Sequence, residues 1–339
     1  MNVGQEELER TARAGDVDAL LALGRRSEAQ KNNQSARGWF ALGAKAGSVE
    51  SLRLLAINLL TQEPVVAADG VNMIRAAADR GDAEAAHVCA VLAAQDEALE
   101  NRWEIAQQCL RHAAERGWSL AEAELDFLRG EPVETAAAQP CEVFQTPPVL
   151  VFESFVAAAV CNWLVERARP RLERARVYDR GTGSGRLEQA RNNSSAEFDV
   201  AHSDIPLMRV RARILASIGI PDLKPETPSV LHYAPGQHFE PHVDFLDPSE
   251  PGYLQDLQKN GQRAATFLLY LNDDYEGGET AFPSLSWQYK GRKGDALLFW
   301  NVDSSGVPDQ RMIHAGRPPT SGEKWVFSQW LRQPYASLA

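Results

Sequence analysis

The chain has 339 residues, 44% of them hydrophobic and 24% charged, and a formal net charge of −11. That length and apolar content suit two ordinary domains. The acidic balance argues against a nucleic-acid partner or an anionic membrane surface, because both need a basic field. The opening segment, Met1 to Arg10, is acidic and has no apolar stretch, so it does not read as a secretory signal. No apolar run approaches the roughly 20 residues of a membrane span. Cys89, Cys109, Cys141 and Cys161 are widely spaced, with no Cys-x-x-Cys, which reads as reduced thiols in a cytoplasmic protein.

In chain order, the first 130 residues are rich in alanine and leucine and periodic. One phrase, Ala-x-[Ala/Arg]-Gly followed by a small or acidic residue, recurs at Gly15, Gly47, Gly81 and Gly117, with spacings of 32, 34 and 36 residues. A period in the mid-thirties marks a helix-turn-helix solenoid. The glycine suits a helix C-terminus that needs positive φ, and the following Asp16, Ser48 or Asp82 suits the N-cap of the next helix. Trp118 breaks the rule, which marks the last unit as a terminal one. This stretch resembles Sel1-like or tetratricopeptide-type repeats. The resemblance implies a docking scaffold; the alternative is that the repeats serve only packing, stability or oligomerisation, and the oligomeric state is not legible.

Residues 131–149, with Pro132, Pro140, Pro147 and Pro148, read as a linker to a second domain over 150–339. There, residues 153–175 predict an amphipathic helix broken near Pro170. Residues 180–197 read as a loop. A helix is expected after Asp204, with Asp204 as N-cap and Pro206 in its first turn. From Ser229 the signals are short strands, expected at 229–234, 238–246, 264–272, 278–282, 286–291, 295–300, 310–316 and 323–332, with no long helix between them. The expected fold is therefore two-domain α+β: a helical repeat solenoid, then a double-stranded β-helix (jelly roll).

Two His-x-Asp strings occur, His202-Ser203-Asp204 and His242-Val243-Asp244. With 7 histidines and 46 acidic residues, about one such string is expected by chance. Context separates them. Asp204 is already explained as a helix cap, whereas His242 and Asp244 follow a glycine turn between two strands. A period of two places both side chains on one sheet face. Two histidines and a carboxylate on one face are the ligand set of non-haem Fe(II) oxygenases.

The segment Tyr233-Ala234-Pro235-Gly236-Gln237-His238-Phe239-Glu240-Pro241-His242-Val243-Asp244 resembles the prolyl 4-hydroxylase pattern Tyr-x-x-Gly-x-x-Tyr-x-x-His-x-Asp, with Phe239 in the second tyrosine position. Arg263 to Asn272, Gly277 to Pro283 and Lys293 to Asn301 are similar to the strands that follow in that family. His314 and, ten residues on, Lys324 complete the likeness, which covers about 150–333.

The resemblance implies a 2-oxoglutarate-dependent dioxygenase that hydroxylates a C–H bond and releases succinate and carbon dioxide. Its Fe(II) would be held by His242, Asp244 and His314. Lys324 would hold the far carboxylate of 2-oxoglutarate, Tyr233 would hydrogen-bond this co-substrate and Thr266 would lie near it. Dioxygen is the second co-substrate, and ascorbate the implied reductant. His238 shares the ligands' parity but is not in the family pattern, and reads as a supporting residue. Arg332 stands where collagen-type members carry a histidine; it either assists the co-substrate or faces solvent. The implied substrate is a prolyl residue in a peptide or protein, docked by the repeats and covered by the loop with Arg186, Arg191 and Asn192. Two other readings remain open at this point: a dioxygenase of a free amino acid or other small molecule, and a repeat adaptor with a vestigial dioxygenase domain.

Overall fold

The structure, a computed structural model, describes residues 3–62, 67–178, 185–186 and 190–335. The chain divides into two compact units: 1–132 together with 199–208, and 133–198 together with 209–339.

Among the described residues, the N-terminal stretch 1–132 of the first unit holds the helices α1 (Val3–Arg13), α2 (Val17–Ala29), α3 (Asn33–Lys45), α4 (Val49–Gln62), α5 (Ala67–Asp79), α6 (Ala83–Gln95), α7 (Arg102–Glu115) and α8 (Ser119–Gly130). They form four pairs, and each pair turns at one of the recurring glycines, all with φ between +84° and +98°. Any other residue would be strained there. The next helix is capped from the residue that follows. Asp16 accepts from Ala19 N at 2.8 Å, Asp82 from Ala85 N at 2.8 Å, and the Ser48 hydroxyl from Ser51 N at 3.1 Å. Each cap contributes about 1 kcal/mol. Trp118 makes no side-chain cap. The core of this unit is a run of side chains including Leu20, Leu23, Phe40, Ile74 and Val88, all buried. Arg53, only 7% exposed, is paired there with Asp82 and Glu84 at 3.1 and 2.7 Å.

The second unit contains β1 (Cys141–Gln145), β2 (Pro148–Phe152), α9 (Ala158–Ala168), β3 (Glu173–Arg174), β4 (Val177–Tyr178), β5 (Gly185–Arg186), β6 (Ser194–Glu197), β7 (Lys224–Pro225), β8 (Ser229–Tyr233) and β9 (Phe239–His242). After them come a short helix (Pro251–Asn260), β10 (Gln262–Tyr270), β11 (Glu276–Gly277), β12 (Thr280–Phe282), β13 (Trp287–Tyr289), β14 (Ala296–Trp300), β15 (His314–Gly316), β16 (Pro319–Ser321) and β17 (Lys324–Gln333). A major sheet has the order β1-β2-β14-β10-β17-β8-β6-β3, with β7 on β17. A minor sheet has the order β13-β12-β15-β9. Both are antiparallel, and their facing sides close on one core. Phe282 of the minor sheet meets Phe299 of the major sheet edge-on at 5.1 Å, with Val149, Leu268, Leu297 and Val326 around them. This is the jelly-roll architecture.

Four differences from the sequence reading have physical causes. The expected linker carries the hairpin β1–β2, because Pro147 lies in its turn and Val149 and Val151 supply an alternating buried face after it. A helix, Pro251–Asn260, interrupts the strands; Pro251 sits in its first turn, and Tyr253 and Leu257, four apart, are buried. Residues 310–312 form a 3₁₀ turn capped by Asp309, so pairing starts only at His314. The strand expected over 238–246 ends at His242, leaving Asp244 past the ladder. The Asp204 expectation holds: the helix Ile205–Ile218 starts there, with Leu207 N donating 2.9 Å to Asp204 Oδ1. Among the described residues no helix is long and apolar enough to cross a membrane. The four thiols are free, with only Cys161 buried and Cys141 exposed.

Candidate active site

His242 ends β9 and His314 opens β15, and the two are direct cross-strand partners. Asp244 follows two residues after His242. The Nε2 atom of His314 lies 3.4 Å from Asp244 Oδ2, and that of His242 lies 3.7 Å from Asp244 Oδ1. One ligand atom from each lies within 4.8 Å of the others. Asp244 and His314 are each 5% exposed.

The orientation of both rings is set by the backbone. His242 Nδ1 donates to Glu240 O at 2.7 Å, and His314 Nδ1 donates to Met312 O at 3.0 Å. A carbonyl only accepts, so Nδ1 carries a proton in both rings and Nε2 is the nitrogen turned toward the carboxylate. Burial, and then the nearby His314, push the His242 pKa far below the imidazole range. Burial alone would raise Asp244, yet the two histidines and the Thr266 hydroxyl hold it below the usual carboxylate range. Two imidazole Nε2 atoms and a carboxylate that converge on one point form a donor set that fits a divalent iron.

Phe239 lies flat on the His242 ring, at 3.5 Å and 14° between planes, and the Arg191 guanidinium covers the far face of Phe239 at 4.6 Å. Arg191 is held by Asn193 and by the carbonyl of Arg176. Asn192 clips the neighbouring turn: its side chain accepts from His238 N at 2.7 Å and its N–H donates to His238 O. His238 itself is outside the ligand cluster. Its ring faces Gly236 O at 3.4 Å. In the loop expected over 180–197, residues 180–184 and 187–189 lie outside the described residues, and Arg186 lies in β5.

Lys324 and Tyr233 are cross-strand partners on β17 and β8, on the inner face of the major sheet. Lys324 is 2% exposed, and its Nζ lies 5.3 Å from the Tyr233 ring and 5.6 Å from the Tyr270 ring. Burial lowers its pKa to about 7, only partly offset by the charge of Glu279. An ammonium in such a place is costly unless an anion joins it. A buried ammonium on the inner face of the major sheet is chemically suited to a carboxylate.

Thr266 lies on the same inner face, but it is occupied: its hydroxyl donates to Asp244 Oδ2 at 2.7 Å. Arg332 does not face solvent. It is 7% exposed, paired with Glu226 at 2.5 Å and Asp256 at 2.9 Å, and donates to Gly261 O at 2.6 Å. Sequence reasoning did not single out Tyr270, Thr280 or Asn301. Tyr270 and Thr280 share a buried hydrogen bond at 2.9 Å, and Asn301 donates to Thr266. Tyr270 had a usable signal, since it shares parity with Thr266 on β10.

Comparison with known proteins agrees with this geometry. Residues 228–332 match the 2OG-Fe(II) oxygenase superfamily. The chain is 34% identical to prolyl 4-hydroxylase 1 of Arabidopsis thaliana over 213 residues, 59% of this chain and 74% of that one. It is 32% identical to prolyl 4-hydroxylase subunit alpha-1 of Rattus norvegicus over 198 residues, 58% of this chain and 37% of that one. Among solved structures, the viral collagen prolyl hydroxylase of Paramecium Bursaria Chlorella virus-1, in complex with 2OG, is 27% identical at a TM-score of 0.41, covering 55% of this chain and 96% of that one. The chain therefore belongs to the prolyl 4-hydroxylase family of 2OG-Fe(II) oxygenases and is a dioxygenase that uses Fe(II), 2-oxoglutarate and dioxygen.

Proposed function

We propose that the protein hydroxylates prolyl residues of a peptide or protein, with His242, Asp244 and His314 as iron ligands. The observation that carries the ligand assignment is the pair of Nδ1–H···O=C bonds, which turn both Nε2 atoms toward one buried carboxylate. Lys324 receives the far carboxylate of 2-oxoglutarate by a charge-assisted hydrogen bond, and the Tyr233 hydroxyl lies beside it. Thr266 contributes by orienting Asp244 rather than by touching the co-substrate. The iron, when bound, supplies the oxidising power for breaking the substrate C–H bond. The chain's own part is to hold that iron on three side chains, bury the co-substrate's charged end, and shield the site with the Phe239 and Arg191 stack. Ascorbate is the expected reductant for keeping the iron in its divalent state.

The prolyl substrate is supported by the relatives: prolyl 4-hydroxylases match this chain over 213 and 198 residues. We assign residues 1–130 to the repeats and 150–339 to the dioxygenase domain, with 131–149 as the connection whose hairpin β1–β2 extends the domain's major sheet. The helical pairs then act as a docking scaffold for the protein substrate, in keeping with their solenoid turns.

The test is incubation with Fe(II), 2-oxoglutarate and a lysate of the source organism, followed by mass spectrometry of proteins and small metabolites. The expected result is the gain of one oxygen atom on proline in a protein. Oxygen gained only by free amino acids or other metabolites would overturn the substrate assignment.

A further inference from the structure

Asn301 lies one residue past β14 and is fully buried. Its backbone N–H donates to Ala264 O at 2.7 Å, and its carbonyl accepts from Asp309 N at 3.0 Å. Any residue can make those two bonds, so they do not account for an asparagine. The side chain does something else. Its Nδ2 donates to Thr266 Oγ1 at 2.9 Å, and Thr266 Oγ1 donates to Asp244 Oδ2 at 2.7 Å. The directions are fixed by proton count. An ionised carboxylate can only accept, so the single hydroxyl proton of Thr266 goes to Asp244. The hydroxyl oxygen must then accept, and only the amide nitrogen of Asn301 can donate to it.

This leaves Asn301 Oδ1 buried with no partner. An unsatisfied buried amide oxygen is destabilising, and an apolar side chain would avoid that. The amide is thus a poor choice for packing and a good one for polarising and orienting Thr266. Thr266 in turn holds one oxygen of Asp244, the oxygen 3.4 Å from His314 Nε2. No protein hydrogen bond is made to Oδ1 among the described residues.

We propose that Asn301 is a positioning residue for the metal site: through Thr266 it fixes the carboxylate of Asp244 in the orientation the cation needs. The inference rests on the reading of His242, Asp244 and His314 as ligands. Partners of this kind, one shell beyond the ligands, typically change metal affinity by about 10–100-fold.

The probe is Mn(II) alone, its binding read from the loss of the free-ion electron paramagnetic resonance signal, with no turnover needed. Wild type should bind and His242→Ala should not; if wild type and His242→Ala bind alike, the ligand reading itself fails. With that in place, Asn301→Ala should weaken Mn(II) binding about 10–100-fold, and Thr266→Val should weaken it by a similar factor. The double variant should be no weaker than Thr266→Val, because the amide acts only through the hydroxyl. Should Asn301→Ala not fold, Asn301→Asp keeps the shape while replacing the donor by an acceptor, and it too should lose at least tenfold. Binding within twofold of wild type in Asn301→Asp, or costs that multiply in the double variant, would overturn the relay.

Discussion

Lys324 carries an ammonium into a place that water hardly reaches, and the consequence is a pH dependence of definite sign. Burial lowers its pKa to about 7 in the ligand-free protein, and a bound carboxylate would raise it again. Below about pH 7 the lysine is already charged and 2-oxoglutarate binding needs no proton. Above it, binding must take up a proton, and affinity falls by up to about tenfold per pH unit. Calorimetry of 2-oxoglutarate binding to Mn(II)-loaded protein at pH 8, in buffers of different ionisation enthalpy, should report an uptake approaching one proton. Lys324→Met should abolish that uptake; an uptake near zero in the wild type would sink the assignment. Arg332 is a contrasting case. It is buried between Glu226 and Asp256, so Arg332→Ala leaves carboxylates short of a partner and should destabilise the protein by roughly 3–5 kcal/mol. Thermal and denaturant unfolding would measure this. A variant of wild-type stability with weakened 2-oxoglutarate binding would show that Arg332 serves the co-substrate after all. The ligand cluster was legible as residues because His242, Asp244 and His314 stand in a recognisable string with Lys324. The partners of Thr266 and Arg332 were not, since they come from strands and turns far along the chain, and a one-dimensional pattern does not say which polar groups a fold brings together.

Elements show the same division. The four helix pairs were readable because the chain must reverse at fixed intervals, and glycine followed by a capping side chain is the local chemistry of that reversal. The helix Pro251–Asn260 was not, because ten residues with two buried apolar positions give too little periodicity to stand out between strands. Packing between helices is also invisible locally, and two glycines make the point. A Cβ on Gly24 in α2 would come within 2.2 Å of the buried Phe40 ring, whereas one on Gly38 in α3 would meet nothing within 4 Å. Propensity alone favours alanine at both. Gly38→Ala should therefore stabilise the unit by about 0.5–1 kcal/mol, and Gly24→Ala should destabilise it by about 1–3 kcal/mol. Chemical denaturation of the two variants separates the signs, and equal stabilisation would mean that α2 and α3 are not so closely packed.

At the scale of the whole molecule, the proposed substrate is a protein held by the helical unit. If the repeats dock that substrate, a full-length target should have a kcat/KM at least about tenfold above a short proline peptide from it, the gain lying in KM, as tethering raises effective concentration. Steady-state kinetics on both would decide; equal values would leave the repeats without a docking role. The central claim is more basic, that His242, Asp244 and His314 hold an iron to which 2-oxoglutarate binds with Lys324 at its far end. Anaerobic titration of the Fe(II)-loaded protein with 2-oxoglutarate, followed by the visible metal-to-ligand charge-transfer absorption, tests it most directly. The band should appear at saturation in the wild type, require much more 2-oxoglutarate in Lys324→Met, and be missing in His242→Ala. An unchanged band in His242→Ala, at the same 2-oxoglutarate concentration, would contradict the assignment.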